Sequence, residues 1–115
     1  MSLDDALQRL VNVELNAVAF VMDYVEFHFN GPVLRAFSGP VLRASGCQYT
    51  FPEAGSRDAL CRLIGTVVER VAVEPSSLSL NLTGGNQLSI PIDGSLPGGE
   101  SAHFMTGEDH NVLVF

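Results

Sequence analysis

The sequence contains no lysine, and its six arginines are outnumbered by 13 aspartates and glutamates, which gives a formal net charge of −7 at pH 7. A surface of this sign repels the phosphates of nucleic acids and of anionic lipids. The acidic residues are spread along the chain, so no acidic block imitates a DNA backbone. The charge balance therefore argues against nucleic-acid binding.

The sequence also lacks a hydrophobic run long enough to cross a membrane. Its longest apolar stretch, residues 11–22, is interrupted by Asn12, Glu14 and Asn16, whereas a transmembrane helix needs about 18 uninterrupted apolar residues. The N-terminus carries acids where a secretory signal peptide carries positive charge. These absences predict a soluble cytoplasmic protein with no membrane partner.

Cysteine is scarce, and charged residues are few. Cys47 and Cys61 fit neither a disulfide framework nor a paired CxxC metal site. The 115 residues are enough for one domain with an apolar core, spanning 1–115. Hydrophobic residues make up 46% and charged residues 17% of the chain, which predicts that some apolar surface is hidden in an oligomer.

No HExxH, GxGxxG or Walker-type sequence is present. A metal or general-base site would have to use the three histidines, His28, His103 and His110, with nearby acids. The segment GEDHN at 107–111 has the composition of a turn, in which such residues serve the backbone geometry. The sequence therefore predicts no catalytic residue, no metal site and no cofactor.

A repeat is the strongest positive signal. The segments DALQRLVN at 5–12 and DALCRLIG at 58–65 share one helical pattern, and residues 5–31 align without gaps on 58–84. In both copies the helix is followed by two alternating strands and a turn that leads into a third strand. We predict an α+β, mainly antiparallel β fold, with tandem repeats at about 5–51 and 58–105.

The expected architecture is a curled sheet, sandwich or barrel of seven or eight strands with two short helices. Ser2 and Ser56 are the expected helix N-caps, and Asn12 and Gly65 are the expected helix stops. The first strands of the copies are expected at 14–21 and 67–74, and a terminal strand at 111–115. Gly39-Pro40 is expected to kink an edge strand or to break it in two, because proline cannot donate to a ladder. Arg35 and Arg43, on its two sides, are expected to be exposed edge-strand charges or to bind an anion.

The copies differ on the outward face of their first hairpin. The second copy has ordinary solvated residues at 70, 72 and 74, whereas the first copy is largely apolar there. The candidate interface residues are Ala17, Ala19, Val21, Tyr24 and His28. Either other strands or the C-terminal segment cover this patch, or it binds a second copy or another protein. The terminal strand ending in Phe115 is a second candidate for pairing with another chain.

A curled antiparallel sheet can also enclose a ligand cavity. Four aromatic residues are candidates for lining it, Phe20, Phe27, Phe29 and Phe104.

The pattern LCRLIGTVVERVAV, followed by LSLNL and GNQLSIPI, resembles small β-rich bacterial proteins of unknown function, some of which are immunity-like. The resemblance covers residues 57–105, with a weaker echo at 5–37, and rests on core and turn positions. It implies a fold rather than an activity, and it assigns no functional residue.

The leading hypothesis is a non-enzymatic cytoplasmic interaction protein, homodimeric, whose acidic surface engages a basic protein partner. An immunity or inhibitor role would be one instance. The alternatives are a small-ligand-binding β domain and a small hydrolase-type enzyme that uses His103, His110 or a cysteine.

Overall fold

The computed structural model describes residues 3–92, 101–106 and 112–114, which form two short helices and ten strands. The elements are α1 (Leu3–Gln8), β1 (Ala17–Val21), β2 (Tyr24–His28), β3 (Val33–Ala36), β4 (Val41–Ala44), β5 (Cys47–Thr50), α2 (Ser56–Cys61), β6 (Val68–Val73), β7 (Ser77–Leu82), β8 (Asn86–Pro91), β9 (Ala102–Met105) and β10 (Val112–Val114). No helix among these residues is long and apolar enough to span a membrane. The prediction of a mainly antiparallel β fold with two short helices is confirmed.

The strands form two five-stranded antiparallel sheets. The first sheet has the order β1-β2-β3-β9-β10, and the second has the order β5-β4-β8-β7-β6. The chain leaves the first sheet after β3 and returns to it at β9, so each sheet combines three consecutive strands with a hairpin from elsewhere in the chain. The sheet order therefore depends on contacts between residues far apart in the sequence.

The inner faces of both sheets contribute to one buried cluster. In β2 and β7 the buried residues alternate with half-buried ones, as the period of two requires when one face of a strand meets a core. Val25 and Phe27 are fully buried in the first sheet, and Leu78 and Leu80 are fully buried in the second. The helices and the turns that follow them add Leu7, Leu10, Leu60 and Leu63 to the same cluster.

Each helix ends one turn before a residue with a left-handed backbone. Asn12 has φ 72° and Gly65 has φ 96°, a region that glycine and asparagine adopt most easily. The sequence therefore identified both helix stops. The predicted N-cap at Ser56 is wrong, since Gly55 occupies that position and Ser56 is the first helical residue. Ser2 lies outside the described residues.

The segments that follow the helices pair with each other. Val68 N–H donates to Val13 O at 3.0 Å, and Leu15 N–H donates to Thr66 O at 2.8 Å. A single bridge, Glu14 to Val67, lies between these two bonds. Residues 14–16 and 67 thus lie outside the regular strands, which is why β1 and β6 begin later than the sequence predicts.

Gly39-Pro40 breaks the predicted strand in two and sends the halves to different sheets. β3 lies between β2 and β9, and β4 lies between β8 and β5, so the expectation of an edge strand is wrong. A Cβ on Gly39 would lie 2.5 Å from the carbonyl oxygen of Phe51. The crossing therefore brings two backbones closer than any side chain at residue 39 would permit.

Candidate functional site on the outer face of the first sheet

The five candidate interface residues lie together on the outer face of β1 and β2. Ala17 is the cross-strand partner of His28, and Val21 is the partner of Tyr24, with Ala19 between them on β1. All five are half-buried or exposed, whereas Val25 and Phe27, which point to the opposite face of β2, are buried in the core. The sequence placed these residues on one face because a strand has a period of two.

The same face continues across β3 and β9. Register sets Arg35 beside His103, and Val33 beside Met105. Phe37, which follows β3, belongs to it as well because its ring contacts that of Tyr24. Sequence reasoning missed these residues as site members, since the pairing of β3 with β9 links segments about 70 residues apart. The alternation within β3 was the available signal for Val33 and Arg35.

An aromatic strip runs across this face. The ring centroids of Tyr24 and Phe37 are 5.0 Å apart at an interplanar angle of 48°, and those of Phe37 and His103 are 4.7 Å apart at 72°. These separations are typical of tilted and edge-to-face aromatic pairs, which hold each other in place. The strip therefore forms a partly apolar surface.

Glu26 lies at the centre of the face and holds two basic side chains. Arg35 Nε donates to Glu26 Oε2 at 2.6 Å, and His28 Nε2 lies 3.1 Å from Glu26 Oε1. The side chain of Glu26 is 14% exposed, whereas those of Arg35 and His28 are 35% and 36% exposed. The carboxylate is thus sheltered, and the two basic groups that cover it face solvent.

Two opposing effects act on the pKa of Glu26. Burial raises this pKa, but the hydrogen bonds from Arg35 and His28, together with their positive charges, lower it below its ordinary value. Glu26 is therefore ionised at neutral pH and offsets the charge of Arg35. Arg35 and His28 thus engage the two oxygens of this carboxylate, one each.

The outer face of the second sheet has a different character at matching positions. Ala19, Glu26 and Arg35 are cross-strand partners and form one row across the first sheet. The corresponding row of the second sheet consists of Ala72, Ser79 and Ser89. The hydroxyls of Ser79 and Ser89 lie 3.4 Å apart. The rows on either side are mostly polar, with Arg70, Asn81, Gln87 and Arg43 in one and Glu74, Ser77 and Pro91 in the other. This face has the hydroxyl and amide groups of an ordinary solvated sheet.

The two helices leave the outer face of the first sheet open. α1 packs against β6, and α2 packs against β1, β4 and β5. The contact of α2 with β1 is made on the inner side, where Arg57 lies over the rings of Phe20 and Phe51. Among the described elements, then, neither helix provides the cover that an apolar outer face would need.

The candidate cavity residues pack in the interior. Phe27, Phe29 and Phe104 are at most 1% exposed and belong to the core cluster. Phe20 is half-buried and stacks on Phe51, with ring centroids 5.9 Å apart. The clefts beside the β4–β5 turn and beside α2 are lined by other residues. Three of the four phenylalanines thus pack in the core, and Phe20 packs against its edge.

The groups proposed for catalysis are distributed over both sheets. Cys47 is exposed on β5, Cys61 is exposed at the end of α2, and His103 belongs to β9 on the other sheet. His110 lies outside the described residues. Within the residues that the structure covers, no group of three or more His, Cys, Asp or Glu side chains is arranged to hold a metal ion.

A cleft of about 410 Å³ lies between the β4–β5 turn and the second sheet. It is lined by Arg43, Ala44, Ser45, Gly46, Cys47, Gln48, Gly85 and Gln87. Arg43, which was expected on an edge strand, lies on β4 between two other strands and is exposed because it points outward. The cleft is open, and its lining consists largely of small and uncharged polar residues.

No family model, curated protein or solved structure matches this chain.

Proposed function

We propose that this chain is a non-enzymatic protein-interaction domain that binds its partner through the outer face of the first sheet. The observation that carries the proposal is the contrast between the two outer faces. At matching rows, the second sheet has serine, amide, arginine and glutamate side chains, whereas the first has an aromatic strip around a sheltered ion pair. Aromatic residues and arginine are the residue types that contribute most binding energy to protein interfaces.

The electrostatics of this face support binding to a protein rather than to a charged polymer. One carboxylate and one guanidinium offset each other there, although the whole chain carries a net charge of −7. An acidic partner approaching this face therefore meets less repulsion than at the remaining acidic surface. The immunity or inhibitor role stays a prediction of the sequence, and it would use the same surface.

The test uses Ala19→Glu and its matched control, Ala72→Glu. Both alanines are half-buried on the outer face of their sheet, and they stand at equivalent places beside Glu26 and Ser79. Self-association is measured by light scattering, and retained proteins are measured on a column carrying each variant. We expect Ala19→Glu to lose the associations that the wild type makes and Ala72→Glu to keep them.

Two outcomes of this test would contradict the proposed function. If the wild type associates with nothing, or if Ala19→Glu keeps every association while folded by circular dichroism, the proposed function is wrong. A loss that both variants share would point to an effect of added negative charge and not to this face.

We also propose that the two halves of the chain are structural repeats related by a pseudo-twofold axis, with their last two strands exchanged between sheets. The hydrogen bonds between the segments that follow the helices support it. Asn12 N–H donates to Val68 O at 2.7 Å, and Gly65 N–H donates to Leu15 O at 2.8 Å. A shift of 53 positions, which sets Asp5 on Asp58, converts each of these bonds into the other.

A further inference from the structure

The structure points to a second copy of this chain as the partner. We propose that two copies pack through the outer faces of their first sheets about a twofold axis that runs parallel to the strands, between β2 and β3. This inference rests on the proposed function and names its partner. Two sheets packed in this way lie about 10 Å apart, with strand directions within about 30° of each other.

Such an axis fixes which strands face each other. It sets β2 of one copy opposite β3 of the other, and β1 of one copy opposite β9 of the other, because the strands occupy the order β1-β2-β3-β9. Because the axis runs along the strands, each residue faces residues of the other copy that lie in the same cross-strand row. Residues that are partners across the sheet within one copy therefore determine which residues meet between copies.

The charges on the face become complementary under this axis. Glu26 and Arg35 are cross-strand partners on β2 and β3, so Glu26 of one copy meets Arg35 of the other, and the reverse. Each copy already has this pair at 2.6 Å, and the dimer would bring the two pairs into one ring of alternating charges. A face with one charge of each sign can meet itself without the repulsion that the −7 net charge imposes elsewhere.

The sizes of the side chains are complementary as well. Ala17 belongs to the row of Met105, and Ala19 belongs to the row of His103. Under the axis the two alanines of β1 therefore meet the two large side chains of β9 in the other copy. Alternation of small and large residues is what allows facing sheets to interdigitate.

The aromatic strip completes the match. Tyr24 and Phe37 flank the axis in the row next to that of Glu26 and Arg35. The tyrosine of one copy therefore meets the phenylalanine of the other. Four strands and three rows give on the order of 500 Å² of contact per copy, which is at the lower end for a specific interface. We therefore expect a dimer that dissociates on dilution.

The test is a charge exchange between two variants, Glu26→Arg and Arg35→Glu. Each variant alone places like charges opposite each other at both positions of the dimer, and we expect about a hundredfold weaker self-association. Mixed together, the two variants place opposite charges at both positions, although the pair within each copy stays broken. We expect the mixture to form a one-to-one dimer, measured by light scattering.

The matched controls are Ser79→Arg and Ser89→Glu, which occupy the equivalent row of the second sheet. We expect them to self-associate as the wild type does. A wild type that stays monomeric at every concentration, or a folded mixture of the charge variants that stays monomeric, would overturn the homodimer. The proposed function would survive the first result if another protein were lost by Ala19→Glu and kept by Ala72→Glu.

A second measurement applies if the charge variants do not fold. Ala17→Cys and Met105→Cys are made separately in a chain with serine at positions 47 and 61, and the two are mixed with a short bis-maleimide. Because Ala17 of one copy meets Met105 of the other, we expect the mixture to cross-link several times more than either variant alone. Equal cross-linking of all three samples would contradict the proposed axis.

Discussion

The two sheets have similar inner faces and dissimilar outer faces. On the inner side, Val25 and Phe27 of the first sheet correspond to Leu78 and Leu80 of the second, and all four are fully buried. On the outer side, the sheltered carboxylate of Glu26 corresponds to the hydroxyl of Ser79. Folding requires the inner residues in both sheets because both complete the same core. The outer residues are released from that requirement, so they can differ between the two sheets.

The largest expected effect is on the free energy of unfolding and comes from substitutions on the inner faces. There we expect the two sheets to respond alike. Phe27→Ala removes a fully buried ring, and we expect it to lower the free energy of unfolding by about 3–5 kcal/mol. The matched Leu80→Ala should cost about 2–5 kcal/mol. Urea unfolding followed by circular dichroism measures both. A cost below about 1 kcal/mol in either sheet, well under the range for such cavities, would show that the inner faces are not equivalent.

The next effect concerns the link between the sheets. Gly39→Ala places a methyl group 2.5 Å from the Phe51 carbonyl oxygen, so one backbone must shift. We expect a loss of about 1–3 kcal/mol in unfolding free energy, as overpacking usually costs. Gly46→Ala is a useful control, since open space surrounds its Cβ position and its cost is confined to the positive φ of 78°. A cost well below about 1 kcal/mol for Gly39→Ala, under the usual range for overpacking, would show that the close approach at residue 39 has no importance.

A smaller effect tests the ion pair on the outer face of the first sheet. The pKa of Glu26 is lowered in the folded protein, so its ionised form stabilises the fold above the ordinary value of 4.5, and this stabilisation is lost as the pH falls through the folded-state pKa. We expect Glu26→Gln to cost about 1 kcal/mol at neutral pH, the scale of a partly exposed ion pair.

The pH dependence separates this cause from a simple packing loss. The difference in unfolding free energy between wild type and Glu26→Gln should shrink as the pH is lowered through and below 4.5. Both proteins are compared at a concentration at which each is monomeric, because dimerisation through the face that contains Glu26 would add to the measured stability. A difference that stays the same at every pH would mean that the carboxylate charge contributes nothing.

The smallest expected effect is on the outer face of the second sheet. Ser79→Ala removes one hydroxyl of a half-buried contact, and we expect a change within about 0.5 kcal/mol, as for most surface substitutions. Binding and self-association should also be unchanged. A loss of either on this substitution would assign a function to the second outer face and remove the contrast between the sheets.

Much of the local structure could be predicted from the sequence because its signals are local. The alternation in β2 and β7 identified which residues are buried, and Asn12 and Gly65 marked the helix ends. The N-cap of α2 could not be identified in this way, and the prediction that placed it at Ser56 is wrong. Gly55 takes that place, and the side-chain oxygen of Ser56 is buried with no hydrogen-bond partner described.

The candidate site was predicted in part for the same reason. Ala17, Ala19, Val21, Tyr24 and His28 belong to one hairpin, so alternation and a short turn are enough to bring them together. His103 and Met105 reach the same face through β9, which pairs with a strand about 70 residues earlier. No local pattern specifies such a pairing, and it also explains why Arg35 was placed on an edge that does not exist.

The sequence by itself determined the inward and outward faces of each strand, since the direction of a side chain along a strand follows from a period of two. It also indicated an interruption at Gly39-Pro40, as a kink or a break, because proline cannot donate to a ladder. Only the tertiary structure decided that the chain changes sheets there and that β9 completes the outer face around Glu26. Both features depend on the apolar area that the two sheets bury against each other. That area is a property of the whole fold and cannot be calculated from any single segment of the chain.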